Sequence, residues 1–315
     1  RRQRQMCIRD SLRAGHIIGS SLIQFQIQNG QRSKTVTFTG DLGRPKSLTL
    51  KPPEDLPPSD YLILESTYGG RLHPRTDPLD GLADEINRIV KTSGVLVIPA
   101  FAVGRSQDII YAIKTLEKEG RIPKLPVYLD SPMATSATEI FLRSSEDQKA
   151  LSAFNETESF FPKYFETSNS ADESMMVCMK DGPLIVISAS GMLSGGRILH
   201  HLKARLPREE NCVLFTGYQA DGSKGRFLQE HREDQNIRIH HKEVDIEARV
   251  TTLDAFSAHA DYDELLDWLG SEEKENMTII LNHGSEESQK KLAEHIESKF
   301  SYKVLISNDQ NSLDL

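Results

Sequence analysis

Five polar residues have the types and settings that metal-assisted hydrolysis requires. His16 stands among small residues in Ala14-Gly15-His16-Ile17-Ile18-Gly19-Ser20, which leaves room for an ion beside its ring. Asp41 ends Phe38-Thr39-Gly40-Asp41, and the two oxygens of a carboxylate can bridge two cations. His259 lies in Phe256-Ser257-Ala258-His259-Ala260-Asp261, and His283 in Leu281-Asn282-His283-Gly284. Neutral imidazole binds metal, and a pKa near neutrality suits it to proton transfer. Glu65, in Glu65-Ser66-Thr67-Tyr68-Gly69, can orient a histidine through a carboxylate–imidazole bond. Each residue taken alone also has an ordinary reading: a turn aspartate bonding its own backbone, a surface or loop histidine, a solvated carboxylate. His73, His200, His201, His231, His240, His241 and His295 lack such settings and are assigned to surface or helix positions.

The elements that must position these residues can be read from periodicity. Ser20 to Gln28 is strand-like, Asn29-Gly30 is a hairpin turn signal, and Thr35 to Thr39 returns as a strand. A Pro-rich loop follows, then a short apolar strand from Tyr61 to Leu64. From about residue 76 helices alternate with buried strands. The helices are Leu79 to Lys91, Ser106 to Lys118 and Thr135 to Arg143; the strands are Val95 to Pro99, Pro126 to Leu129, Leu184 to Ser188 and Cys212 to Thr216. That alternation predicts a parallel sheet covered on both faces. Residues 144–180 are polar and irregular, a mixed helical and loop insertion. The chain ends with helix Tyr262 to Leu269, strand Met277 to Leu281, helix Glu286 to Phe300 and strand Val304 to Ser307. Asp41, Glu65 and His283 each follow an apolar strand, and the carboxyl ends of strands are where α/β proteins hold ligands.

Composition narrows the class. No stretch approaches the ~18 apolar residues of a membrane span. Three cysteines without paired metal-type spacing argue against a disulfide framework and for a reducing, cytoplasmic setting. A net charge of −8 does not suit a general nucleic-acid coat protein. A nuclease can still be acidic, because bound ions supply local positive potential. The first eleven residues, Arg1 to Ser11, have no helical or strand periodicity and read as the translation of a transposase-adapter tail used in sequencing libraries. A natural basic arm is the alternative. Without that segment, which holds four Arg and one Asp, the net charge is −11.

Taken together and in order, the motifs resemble the β-CASP branch of the metallo-β-lactamase superfamily, which includes the RNase J enzymes and the nuclease of the cleavage and polyadenylation specificity factor. The resemblance runs from about Leu12 to the end. Ala-Gly-His16 resembles the third metal motif and Gly-Asp41 the fourth; Glu65, His259 and His283 fall in segments similar to β-CASP motifs A, B and C. Ala102-Val103-Gly104-Arg105-Ser106-Gln107, Ser188-Ala189-Ser190-Gly191-Met192 and Gly217-Tyr218-Gln219-Ala220 look like signatures internal to the β-CASP insert. The resemblance implies an α/β fold, a partial αββα sandwich carrying an inserted parallel-sheet domain flanked by helices. Its expected divisions are 1–11 as adapter-derived, 12–69 as the first sandwich part, 70–256 as the insert and 257–315 as the return.

The same resemblance implies zinc-dependent cleavage of phosphodiester bonds in single-stranded RNA, of the processing or decay type. His16, Asp41 and His283 would be ligands of a two-zinc site, with Asp41 bridging. His259, steadied by Glu65, would assist the leaving group. Arg105, Ser188, Gly195, Gly196 and Ser257 are candidates for holding a substrate phosphate, with Gly195-Gly196 expected at a helix start. A homodimer is compatible with the pattern, and no membrane association is expected. The family's His-x-His-x-Asp-His motif is absent and is expected upstream of residue 12. The chain by itself is therefore expected to be inactive, to hold little or no stoichiometric zinc, and to have strand pairing disturbed around His16 and Asp41. Two other readings stay open: a small-molecule thioester or lactone hydrolase of the same fold, and a non-catalytic RNA-binding subunit.

Overall fold

The structure, a computed structural model, describes residues 5–29, 31–144, 146–149, 159–230, 236–270 and 276–307. The chain divides into two compact units, one of Arg1–His73 with Ala258–Leu315 and one of Pro74–Ser257. No helix among the described residues is long and apolar enough to cross a membrane.

The first unit opens with β1 (Gln5–Arg13), β2 (Ser21–Asn29), β3 (Arg32–Phe38) and β4 (Tyr61–Glu65). β1 corrects the expectation of no strand in the N-terminal run. It pairs antiparallel with β2 from Gln5↔Gln28 to Arg13↔Ser21, with an irregularity between Ile8 and Asp10. A ladder of this kind is made by main-chain groups, so a run without side-chain alternation can still join it. β2 and β3 pair without a break from Ile23↔Phe38 to Asn29↔Arg32, so pairing beside Asp41 is regular and not disturbed as expected. Of the turn between them, Gly30 lies outside the described residues.

The second unit carries the α/β alternation. Its helices are α1 (Pro78–Thr92), α2 (Arg105–Lys118), α3 (Pro132–Arg143), α4 (Ala171–Met179), α5 (Ile198–Arg205) and α6 (Lys224–Gln229). Its strands are β5 (Val95–Pro99), β6 (Pro126–Asp130), β7 (Tyr164–Thr167), β8 (Leu184–Ser188), β9 (Cys212–Phe215), β10 (Asn236–Ile239), β11 (Lys242–Asp245) and β12 (Arg249–Thr252). Six of them form an all-parallel sheet in the order β12-β9-β5-β8-β6-β7, and β10 and β11 form a separate hairpin. Every residue of β5, β8 and β9 is buried. Successive strand side chains point to opposite faces, so both faces are covered there, as the apolar runs predict. α4 falls inside the stretch expected to mix helix and loop, and β7 adds a strand there that was not expected. α4 starts on a capping box in which Ser170 and Glu173 each bond the other's backbone N–H.

At the carboxyl end of β6, Asp130, fully buried, accepts hydrogen bonds from His201 Nε2 at 2.6 Å, Ser174 Oγ at 2.6 Å and Arg197 at 2.9 Å. His201 thus takes a helix position, as expected, but on the buried face of α5. Cys7, Cys178 and Cys212 are all free thiols.

The chain returns to the first unit with α7 (Tyr262–Leu269), β13 (Thr278–Asn282), α8 (Glu286–Lys299) and β14 (Lys303–Ile306). The sheet order there is β1-β2-β3-β4-β13-β14. β3, β4 and β13 are parallel neighbours, with Phe38 opposite Ile63 and Asn282 opposite Glu65. Leu62, Leu64, Ile279 and Leu281 bury their side chains with Leu265, Leu269, Leu292 and Ile296 of α7 and α8. Burial at about 1.5–3 kcal/mol per large aliphatic side chain makes this packing the main force seating the three strand ends side by side.

Candidate active site

Asp41, Glu65 and His283 converge because each stands at or just past the carboxyl end of one of these three parallel strands. His16 comes from the β1–β2 loop and His259 from the segment before α7. All five residues expected at the site belong to the first unit.

The His16 loop is held by a hydroxyl and by two glycines. Ser20 Oγ accepts from the His16 and Ile17 N–H groups at 3.1 and 3.2 Å and donates to the Ile17 carbonyl at 2.8 Å. Gly43 N–H donates to the Ala14 carbonyl at 2.8 Å, bringing the two loops into backbone contact. A Cβ on Gly43 would lie 2.0 Å from Gly15 O and 2.6 Å from His16 N. Gly15 has φ +71°, a conformation that costs glycine little and other residues more. Gly43→Ala should therefore destabilise the protein by about 1–3 kcal/mol, the usual cost of overpacking, and push the His16 loop away. A urea melt with an unchanged midpoint would contradict this contact.

Asp41 divides its oxygens between two histidines. Oδ2 lies 3.7 Å from His16 Nε2, and Oδ1 lies 3.1 Å from His283 Nδ1. Its side chain is 39% exposed and that of His283 57%, so an ion and a substrate can reach them. His283 has φ 53°, and its carbonyl accepts from Ser66 N–H at 2.8 Å and Ser66 Oγ at 2.7 Å. Thr67 Oγ1 lies 3.2 Å from His283 Nδ1.

Glu65 and His259 form a pair. Both Glu65 oxygens lie 3.2 Å from His259 Nδ1; the Leu42 N–H donates to Oε1 at 2.5 Å, and the Thr67 N–H to Oε2 at 3.3 Å. Burial alone would raise the pKa of Glu65, but the hydrogen bond and charge of His259, with the Thr67 and Leu42 bonds, more than offset it and hold the carboxyl below its ordinary value. A carboxyl with a lowered folded pKa adds stability above its unfolded pKa, near ~4.3, and loses it as pH falls through the folded value. The stability gap between wild type and Glu65→Gln should thus be widest at neutral pH and narrow as pH falls through the lowered folded value. Urea melts across that range check it, and a gap that is constant with pH would refute it.

His16 has its pKa lowered by burial first and by the neighbouring His259 second. It stays neutral at neutral pH, the form that ligates metal. The His16 and His259 ring centroids are 4.3 Å apart. His16, Asp41 and His259 form one group whose ligand atoms lie within 4.8 Å of one another; Asp41, Glu65 and His283 form a second. Two imidazoles around a carboxylate that turns one oxygen to each is a donor set suited to zinc, with Asp41 shared between two positions. A third group, His73, Asp261 and Glu264, is engaged otherwise. Arg44 binds both Glu264 oxygens at 3.0–3.1 Å, and Asp261 caps α7.

The expected phosphate-holding residues all lie in the second unit. Ser188 is fully buried and donates to the Asp130 carbonyl at 2.8 Å, so its hydroxyl joins β8 to β6. Arg105 begins α2, with Asp108 at 3.9 Å. Gly195 and Gly196 lie in the bend just before Arg197, the N-cap of α5, and so sit beside the helix start as expected. Ser257 is buried, and its N–H donates to the Asp254 carbonyl at 3.1 Å. His240 and His241 are exposed in the β10–β11 turn, His200 is exposed, and His295 stacks on Tyr262 at 4.0 Å. His231 lies outside the described residues. His73 corrects its surface assignment. It is 5% exposed, and its Nε2 donates to the His259 carbonyl at 2.9 Å.

Two family models match parts of the chain. The model of the Beta-Casp domain matches residues 106–228, and that of the Zn-dependent metallo-hydrolase RNA specificity domain matches residues 243–307. The chain is 35% identical over 278 residues to Ribonuclease TTHA0252 of Thermus thermophilus, covering 87% of this chain and 62% of the relative. It is 33% identical over 275 residues to an RNase J-like protein of Methanocaldococcus jannaschii, covering 86% and 62%. It is 30% identical over 315 residues to transcription termination factor FttA of Pyrococcus horikoshii, covering 96% and 48%. The chain thus spans between about half and three-fifths of the length of these relatives. Fold, site and matches define the class as a zinc-dependent metallo-hydrolase fold interrupted by an inserted parallel-sheet domain. Within that class the chain belongs to the β-CASP branch of the metallo-β-lactamase superfamily.

Proposed function

We propose that the full-length protein hydrolyses phosphodiester bonds in single-stranded RNA, in processing or decay, with two zinc ions held in part by His16, Asp41 and His283. The observation that carries this reading is Asp41 placed between two histidines and beside the Glu65–His259 pair. Relatives named as a ribonuclease and as RNase J-like support the choice of RNA.

When bound, two zinc ions supply Lewis acidity toward a water and toward the phosphate oxygens. The chain's own residues do the rest. Asp41, His16 and His283 would orient and hold the ions. His259 donates its Nδ1 proton to Glu65, which orients the ring. That leaves Nε2 to hold a proton for the departing oxygen of the ribose–phosphate chain. Burial of Glu65 keeps water from competing for its bond to His259.

A hydrolase of small thioesters or lactones is the second reading, and the large inserted unit speaks against it, since a small substrate needs no second domain. Labelled single-stranded RNA and a thioester and lactone panel, offered in parallel to the full-length protein, test the assignment. RNA turnover with the small esters untouched is expected. Ester turnover without RNA cleavage, or RNA retention on a filter without cleavage, would overturn it.

A further inference from the structure

We propose that His73 is a positioning residue for His259, fixing through its Nε2–H the backbone from which the His259 ring reaches Glu65. The inference rests on the reading of His259 as proton donor.

His73 lies within the loop between β4 and α1; the preceding residue, Leu72, is 48% exposed, yet the His73 ring is buried. Burying an imidazole in a loop costs free energy unless the ring is used. Its Nε2 lies 2.9 Å from the His259 carbonyl oxygen, 186 residues away in sequence. A carbonyl only accepts, so the Nε2 must carry the proton. Nδ1 is buried without a hydrogen-bond partner, which is tolerable for a lone pair and poor for an N–H. Burial, with Arg44 nearby, also lowers the pKa of His73, consistent with one ring proton and one tautomer.

The surroundings make the contact stiff. The His73 N–H donates to Asp261 Oδ2 at 2.9 Å, and the other Asp261 oxygen caps α7 by accepting from Glu264 N–H at 2.9 Å. The Tyr68 ring lies 4.5 Å from the His73 ring and stacks at 6.2 Å from His259. Ala260 N–H donates to the Leu42 carbonyl at 2.9 Å, and Leu42 N–H is the donor to Glu65 Oε1. The His259 carbonyl therefore sits in a frame tied to the same loop that holds Glu65. The His259–Glu65 contacts, at 3.2 Å, have little slack before they leave hydrogen-bond range. A displacement of about 1 Å at a reacting group can cost roughly 10²-fold in rate.

The test compares His73→Leu, which removes the donor, with His73→Gln, whose side-chain amide can restore it, in the zinc-loaded full-length protein. His73→Leu should lower kcat for RNA by roughly 10- to 10²-fold with zinc content kept and KM within about twofold. His73→Gln should recover most of the loss. Nitrogen-15 NMR of the histidine rings should show the His259 Nδ1 signal altered in the Leu variant and returned in the Gln variant. An unchanged His259 signal in the Leu variant would overturn the proposal, as would a Leu variant that loses fold or zinc and is not rescued by Gln. The ring signals do not depend on substrate, so they judge His73 even if the protein proves not to cleave RNA.

Discussion

Replacing His259 with alanine in the full-length protein should lower RNA turnover by about 10²–10⁴-fold and leave bound zinc unchanged. The size follows from removing a general acid while the residues that hold the ions stay in place. His259 makes its side-chain bond to Glu65, whereas Asp41 faces His16 and His283. Loss of His259 also leaves Glu65 buried without its main partner. The variant should therefore be less stable in urea, by about 1–3 kcal/mol. Elemental analysis beside single-turnover kinetics checks the prediction. Unchanged turnover would remove His259 from the mechanism, and lost zinc would make it a ligand instead, as its nearness to His16 and Asp41 permits.

Asp41→Ala should have the opposite signature. One carboxylate serves two sides, so its loss should weaken zinc retention by more than the roughly 10–100-fold seen when an outer-sphere partner is removed. RNA turnover should fall with the zinc. Asp41 is well exposed and adds little to the core, so the zinc-free protein should melt within about 0.5 kcal/mol of wild type. Asp41→Asn, which keeps one oxygen, should fall between the two. Zinc competition with a chromogenic chelator reads all three proteins. Equal retention in Asp41→Ala and wild type would show that the aspartate is no ligand.

Much of this site is legible in the sequence because the strands beneath it are parallel. Asp41, Glu65 and His283 follow short apolar runs, and parallel neighbours bring their carboxyl ends to one edge. The apolar runs Val95–Pro99 and Leu184–Ser188 likewise announce a sheet buried on both faces. Other features are hidden for definable reasons. His73 is flanked by exposed Leu72 and by Pro74, without periodicity, and its partner lies on a distant segment of the chain. β1 is built by main-chain pairing, which leaves no side-chain pattern to read. α4 does carry a local signal, Ser170 followed three residues later by Glu173, and that capping box could have fixed the helix start within the stretch expected to mix helix and loop. Ser188, a candidate for holding phosphate, has its hydroxyl bonded within the sheet to a strand distant in sequence, a partner that local pattern does not reveal.

The most direct measurement is cleavage of a labelled single-stranded RNA by the full-length protein before chelation, after it, and after zinc is returned. Cleavage that disappears with the chelator and reappears with zinc is the expected result. Cleavage that survives removal of the metal, or no cleavage by fully zinc-loaded protein, would contradict a zinc-dependent ribonuclease built on His16, Asp41 and His283.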